Sequence, residues 1–168
     1  MSLAEWERNG WLQVYKTSRQ EIRDLLAIAD RDLRDAQEHG ISADWRFGIA
    51  YNAALKLCTV LLHTEGFRTV QTSAHYRTLA SLPLILGESR KQDAEYLETC
   101  RRKRNIVEYD RVGGATDSEA DELIRFGVEL QDEVAKWLGE KHPELMKVDR
   151  QLMKAIGPRK IAKNTKEL

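Results

Sequence analysis

The sequence predicts an all-α fold, an up-and-down bundle of four to five helices with short helical extensions at both ends. Apolar residues recur at spacings of three and four through most of the chain, which is the pattern of amphipathic helices. Ser18, Ser42 and Thr116 each precede such a stretch and can accept a hydrogen bond from its first turn. No segment shows convincing alternation of apolar and polar residues, so we expect no strand.

The helices can be placed in order from their caps and breaks. The first follows Ser18, and the second, from Ser42 to Leu62, is apolar on nearly every side, which marks the central helix of a bundle. A third helix begins near Ala74 and is broken or kinked at Pro83. The fourth spans about 91–109 and the fifth follows Thr116, so the chain divides into an arm (1–17), a bundle (18–142) and a C-terminal helix with a basic tail (143–168).

Composition limits the classes of function. The 168 residues, with 42% hydrophobic and 32% charged side chains, suit one domain with a real core. There is no apolar run long enough to span a membrane, and the first residues lack the features of a secretory signal, so we expect a cytoplasmic protein without membrane contact. The formal net charge is zero, although the tail beyond Pro158 carries a net charge of about +3.

Neither a metal nor a cofactor is expected. Cys58 and Cys100 lie inside helical patterns and have no metal-ligand spacing, and none of the four histidines stands in a Glu-x-x-His sequence. The chain contains no glycine-rich phosphate loop and no nucleophile elbow.

The stretch from Cys100 to Arg111 departs most from a simple bundle pattern. Four consecutive cations end at Arg104, which falls on the same helical face as Leu97 and Cys100. An isolated buried charge is costly, so Arg104 must pair with a carboxylate, form hydrogen bonds, or open onto a cleft or subunit interface.

Arg104-Asn105, followed by Tyr109 late in a bundle helix, resembles the motif of HEPN domains, in which an Arg and a polar residue precede a His by four to six positions. The resemblance covers roughly residues 18–138. It draws further on segments that match a bacterial branch of the family: Arg31-Asp32-Leu33, Asp35-Ala36, Ala50-Tyr51-Asn52-Ala53-Ala54 and Gly66-Phe67-Arg68. Here Tyr109, or by a looser count Asp110 or Arg111, stands where the family has His.

The resemblance implies a metal-independent ribonuclease, toxin-like or defence-type, that acts as a homodimer with both motifs facing one cleft. It also implies recognition of RNA or nucleotide phosphate, and a nucleotidyltransferase-type protein as a partner. Under this hypothesis Arg104 holds the phosphate, Asn105 orients it, and Tyr109 donates a proton or a hydrogen bond. Other residues would attract the RNA backbone: Arg101, Arg102, Lys103 and Arg111.

His75 is a candidate for the acid or base that the motif lacks, because histidine titrates near neutral pH. Arg104 and Tyr109 are five residues apart, a rotation of about 140° on an ideal helix, whereas Asn105 and Tyr109 share a face.

Two less specific interpretations stay open. Arg104 could form a structural ion pair with a carboxylate of the first bundle helix, namely Asp30, Asp32 or Asp35. The domain could also be a non-catalytic helical module that binds a protein partner through the same surface.

Overall fold

The computed structural model describes residues 1–71, 73–109 and 112–146, and over 107–109 it describes the backbone alone. Helices dominate, which confirms the predicted all-α bundle. In chain order they are α1 (Leu3–Arg8), α2 (Arg19–Ala36), α3 (Ala43–Thr64), α4 (Ala74–Ala80), α5 (Leu82–Leu86), α6 (Lys91–Tyr109), α7 (Asp117–Lys141) and α8 (Pro143–Met146). The rest of the predicted C-terminal helix and the basic tail lie outside the described residues.

The centre of the bundle is α3, as its nearly continuous apolar sequence predicted. Ala50, Ala53, Leu57 and Leu61 have no exposed surface, and α2, α6 and α7 pack around them. Burial on all sides of one helix explains why its apolar residues show little periodicity. Within the described ranges, no helix combines the length and apolar character needed to cross a bilayer.

The predicted caps begin the bundle helices. The hydroxyl groups of Ser18, Ser42 and Thr116 accept hydrogen bonds from backbone N–H groups in the first turns of α2, α3 and α7. The predicted break near Pro83 is also present, since α4 ends at Ala80 and Pro83 lies in the first turn of α5. Local sequence therefore determines where these helices start and stop.

The expectation that the chain has no strand was wrong. β1 (Leu12–Val14) pairs with β2 (Phe67–Thr69) in an antiparallel two-stranded sheet that joins the N-terminal arm to the end of α3. Three residues are too few for period-two alternation to be visible in a sequence. The arm is held by a small core of its own, in which Trp6 and Leu12 pack against Leu62.

A buried cation near the start of α3 joins that helix to the end of α2 and the start of α7. Arg46 is 5% exposed and donates to the carbonyl oxygen of Ala36 at 2.8 Å and to the carboxylate of Asp121 at 2.6 Å. Two residues before Arg46, the Asp44 carboxylate accepts hydrogen bonds from the backbone N–H groups of Gly113 and Ala115. These contacts fix the loop that follows α6, the helix carrying the Arg104 motif.

Candidate functional site

The four consecutive cations of α6 do not form one patch. Arg102 is exposed, and Lys103 forms an ion pair with Glu119 of α7. Arg101 and Arg104, three residues apart, share a face of α6, and both lie near Tyr51 of α3. Helical geometry therefore separates the charges that are adjacent in sequence, and only two of them contribute to a common site beside α3.

Arg104 lies over an aromatic ring at the edge of the core. Its guanidinium carbon is 5.5 Å from the ring centroid of Tyr51, a residue of α3 that is 1% exposed. A cation above the face of a buried ring is stabilised by the ring quadrupole. Burial raises the pKa of the Tyr51 hydroxyl to about 12, while the charges of Arg104 and Arg101 act in the opposite direction. Tyr51 is therefore a neutral phenol at physiological pH.

His75 approaches the same tyrosine from α4. The ring centroids of His75 and Tyr51 are 6.5 Å apart. The pKa of His75 is lowered from its usual value by desolvation, and then by the positive charges of Arg104, Lys56 and Arg101. The imidazole is consequently neutral at pH 7 and can accept a proton. His75 and Arg104 therefore both lie beside the ring of Tyr51.

An open cleft of about 410 Å³ lies between the start of α4 and α6. We call it the α4–α6 cleft; its lining residues are Gln71, Ser73, Ala74, His75, Tyr76 and Arg101. Ser73 precedes α4 with φ of 60°, a left-handed conformation that is uncommon for a residue with a side chain. Such strained residues cluster at functional sites, which makes this rim a place to look for ligand contacts.

Arg101 is held in position by Glu98. Its Nε and one terminal nitrogen each donate to a different oxygen of the Glu98 carboxylate at 2.8 Å. Arg102 donates to the same carboxylate at 3.1 Å. The hydrogen bond from Arg101 holds the pKa of Glu98 below its usual value, so the carboxylate is ionised. The pair orients the guanidinium at the cleft, and it also neutralises part of the charge that a ligand would meet.

Two of the three carboxylates suggested as ion-pair partners of Arg104 contact other residues of the chain. Asp30 pairs with Arg34 at 2.8 Å, and Asp32 pairs with Arg31 at 2.9 Å and accepts from Asn52 at 2.7 Å. Asp35 is exposed. Arg46 is a buried cation that pairs with carboxylates of α7, and sequence reasoning missed it. The sequence did contain an indication of this buried cation, because Arg46 interrupts the apolar residues at the start of α3.

The remaining predicted site residues are only partly described. Asn105 is half-buried on α6, and Tyr109 is the last residue of that helix, with its side chain outside the description. Arg111 lies outside the described residues. Since α6 is helical through Tyr109, the backbone directs Arg104 and Tyr109 about 140° apart. Within one chain, the candidate acid or base that lies near Arg104 is His75, among the side chains that the structure describes.

Sequence reasoning gave no role to two aromatic residues of the site. Tyr51 was indistinguishable from a core residue of α3, and only its cation contact reveals more. Tyr76 follows His75 directly, lines the same cleft and is 40% exposed, so its ring is open to a ligand. An aromatic residue beside a candidate acid or base was the available signal.

Within the described residues, no group of three or more His, Cys, Asp or Glu side chains is arranged to hold a metal ion. Comparison of the chain with protein-family models, with curated proteins and with solved structures yields no match.

Proposed function

We propose that this chain is a HEPN-like protein that recognises RNA through its phosphates at the α4–α6 cleft. One observation carries the proposal: Arg101 and Arg104 of α6 and His75 of α4 converge around Tyr51 beside an open cleft. The convergence involves two helices separate in the sequence. A solvated run of surface charge does not require such an arrangement.

Phosphate recognition follows from the two arginines. A guanidinium is always charged at physiological pH and offers several N–H donors in a planar fork that matches phosphate oxygens. Arg101 is already oriented by Glu98, and Lys56 adds positive charge on the same side of α3. Together these cations create a local positive potential in a protein whose net charge is zero.

Cleavage would follow from the neutral imidazole. His75 would take the proton of a ribose 2′-hydroxyl, whose oxygen then attacks the adjacent phosphorus while the bond to the 5′-oxygen breaks. The products are a 2′,3′-cyclic phosphate and a 5′-hydroxyl, and the departing oxygen takes a proton from an acid. The family resemblance assigns that acid to Tyr109 and the orientation of the phosphate to Asn105. Because the backbone of α6 directs Tyr109 away from Arg104, both residues would come from the second copy of a homodimer whose motif faces the same cleft. No metal ion takes part.

The test is cleavage and binding of mixed-sequence single-stranded RNA by the purified protein in the presence of a chelator. Arg104→Gln should weaken binding by about tenfold, the effect of losing one charged hydrogen bond to phosphate. His75→Asn and Tyr109→Phe should abolish cleavage while leaving binding nearly unchanged. Arg34→Gln removes an exposed arginine of α2 and serves as the control.

The outcomes separate an enzyme from a binding protein. Binding without cleavage, weakened by Arg104→Gln, would leave RNA recognition standing and exclude the catalytic part. Equal RNA affinity of native protein, Arg104→Gln and Arg34→Gln would contradict the proposal as a whole.

A second candidate function is a helical interaction module, either for a second copy of the chain or for a nucleotidyltransferase-type partner in the cytoplasm. It is favoured by exposed apolar residues at the end of the bundle: Trp45 is 67% exposed and Val112 95%. Each is the chain neighbour of one member of the Asp44–Gly113 hydrogen bond, so they lie in one region. Light scattering on native protein and Trp45→Ser tests whether this region forms a homodimer.

A further inference from the structure

The α4–α6 cleft contains a feature that phosphate recognition does not use. Tyr76 lines the cleft together with Arg101 and His75, and its side chain is 40% exposed. Leaving a large aromatic ring in water forgoes the free energy that burying it would provide. The ring is therefore a candidate for contact with an apolar or aromatic part of a ligand.

Tyr76 is backed by a fixed cation. The guanidinium carbon of Arg77 lies 5.4 Å from the ring centroid of Tyr76, and the same group lies 3.6 Å from Trp11 and 5.3 Å from Trp6. Trp6 is buried in the small core of the N-terminal arm. Arg77 is thus held among three aromatic rings, which fixes the position of the segment that carries His75 and Tyr76. A ligand that uses this ring meets a preorganised surface.

We infer that Tyr76 is the base-binding residue of the cleft, on which an unpaired RNA base stacks while Arg101 and Arg104 hold the neighbouring phosphate. The inference rests on the proposed function and adds a contact for the RNA base, which the two arginines do not bind. A cationic groove with an exposed aromatic ring is the combination by which proteins bind single strands, because every base has a face to stack. The cleft volume of about 410 Å³ is within the range of sites for small ligands of nucleotide size.

The first test is fluorescence anisotropy with two single strands of equal length, one of normal RNA and one with abasic riboses at its central positions. Tyr76→Leu should weaken binding of the normal strand by about tenfold. It should leave the abasic strand unchanged, because the leucine removes only the stacking surface. Tyr76→Phe keeps the ring and should bind both strands like the native protein.

A second readout reports stacking directly. A strand carrying 2-aminopurine at a central position should change its fluorescence when saturated with native protein or Tyr76→Phe. The change should be largely lost at saturation with Tyr76→Leu. A merely structural role of Tyr76 would alter the affinity for both strands and leave the signal of the bound state as it is.

Failure of this inference can be told from failure of the proposed function by including Arg101→Gln. If Arg101→Gln weakens binding of both strands while Tyr76→Leu binds like the native protein, RNA recognition stands and base stacking on Tyr76 is refuted. Equal losses with Tyr76→Leu on the normal and abasic strands refute it as well. If neither variant changes binding, both proposals fail.

Discussion

At the scale of single residues, the proposed function depends on the protonation of His75. The imidazole lies near three cations, and it is partly desolvated by the chain around it. Both effects disfavour the imidazolium form. An anionic ligand would reverse the electrostatic part, because phosphate would favour the charged ring. Phosphate binding and proton uptake by His75 are therefore expected to be coupled.

The pKa of His75 in the native protein should consequently lie below the usual value of 6.5, rise in Arg104→Gln, and rise on addition of inorganic phosphate. NMR titration of the imidazole protons measures all three. The unfolded chain takes up the His75 proton first as pH falls through 6.5, so this residue lowers the free energy of unfolding at acid pH. His75→Asn should remove that part of the pH dependence. A His75 pKa at or above 6.5 in the native protein, with the same value in Arg104→Gln, would contradict the account.

At the scale of elements, helix boundaries were predictable because caps and breaks are local. Ser18, Ser42 and Thr116 act within one turn, and Pro83 acts within its own turn. The sheet was not predictable, since β1 and β2 are short and are joined only when the arm folds back. The sequence named His75 and Arg104 as candidates, but their contact with a common ring, Tyr51, could not be predicted, because it depends on how α4 and α6 pack beside α3.

The packing of α2 against α7 gives a prediction that separates helix propensity from steric fit. A Cβ added at Gly127 would lie 2.6 Å from Cδ2 of the buried Leu33, whereas nothing lies within 4 Å of one at Gly139 in the same helix. Gly139→Ala should raise the free energy of unfolding by about 0.8 kcal/mol. Gly127→Ala should lower it by about 1 kcal/mol, because overpacking outweighs the same gain in propensity.

Urea denaturation of both variants measures the two changes under the same conditions. Stabilisation of similar size in both variants would show that Leu33 moves aside without cost, and that α2 and α7 are less closely packed than described.

At the scale of the whole molecule, the candidate cleft and the anchored loop are held by different sets of contacts. Arg46 and Asp44 fix α7 and the loop after α6, while Arg77 and the tryptophans fix the segment carrying His75. The sequence pointed to Arg104 through its place on an apolar face, and to His75 as a substitute acid or base. The sequence could not show that Arg101 and Arg104 lie near Tyr51 of α3 while Lys103 pairs with Glu119 of α7, since these contacts depend on the helices that pack against α6.

This division is the central claim, and Arg101 and Lys103 test it most directly. Both are cations of α6 paired with a glutamate, and their side chains are 26% and 29% exposed. We measure the affinity for single-stranded RNA of Arg101→Gln and Lys103→Gln over a range of salt concentrations. Arg101→Gln should weaken binding about tenfold and reduce the salt dependence by about one released ion, while Lys103→Gln binds like the native protein. Equal losses in both variants would show that RNA meets a diffuse positive surface, and would contradict a phosphate site at the α4–α6 cleft.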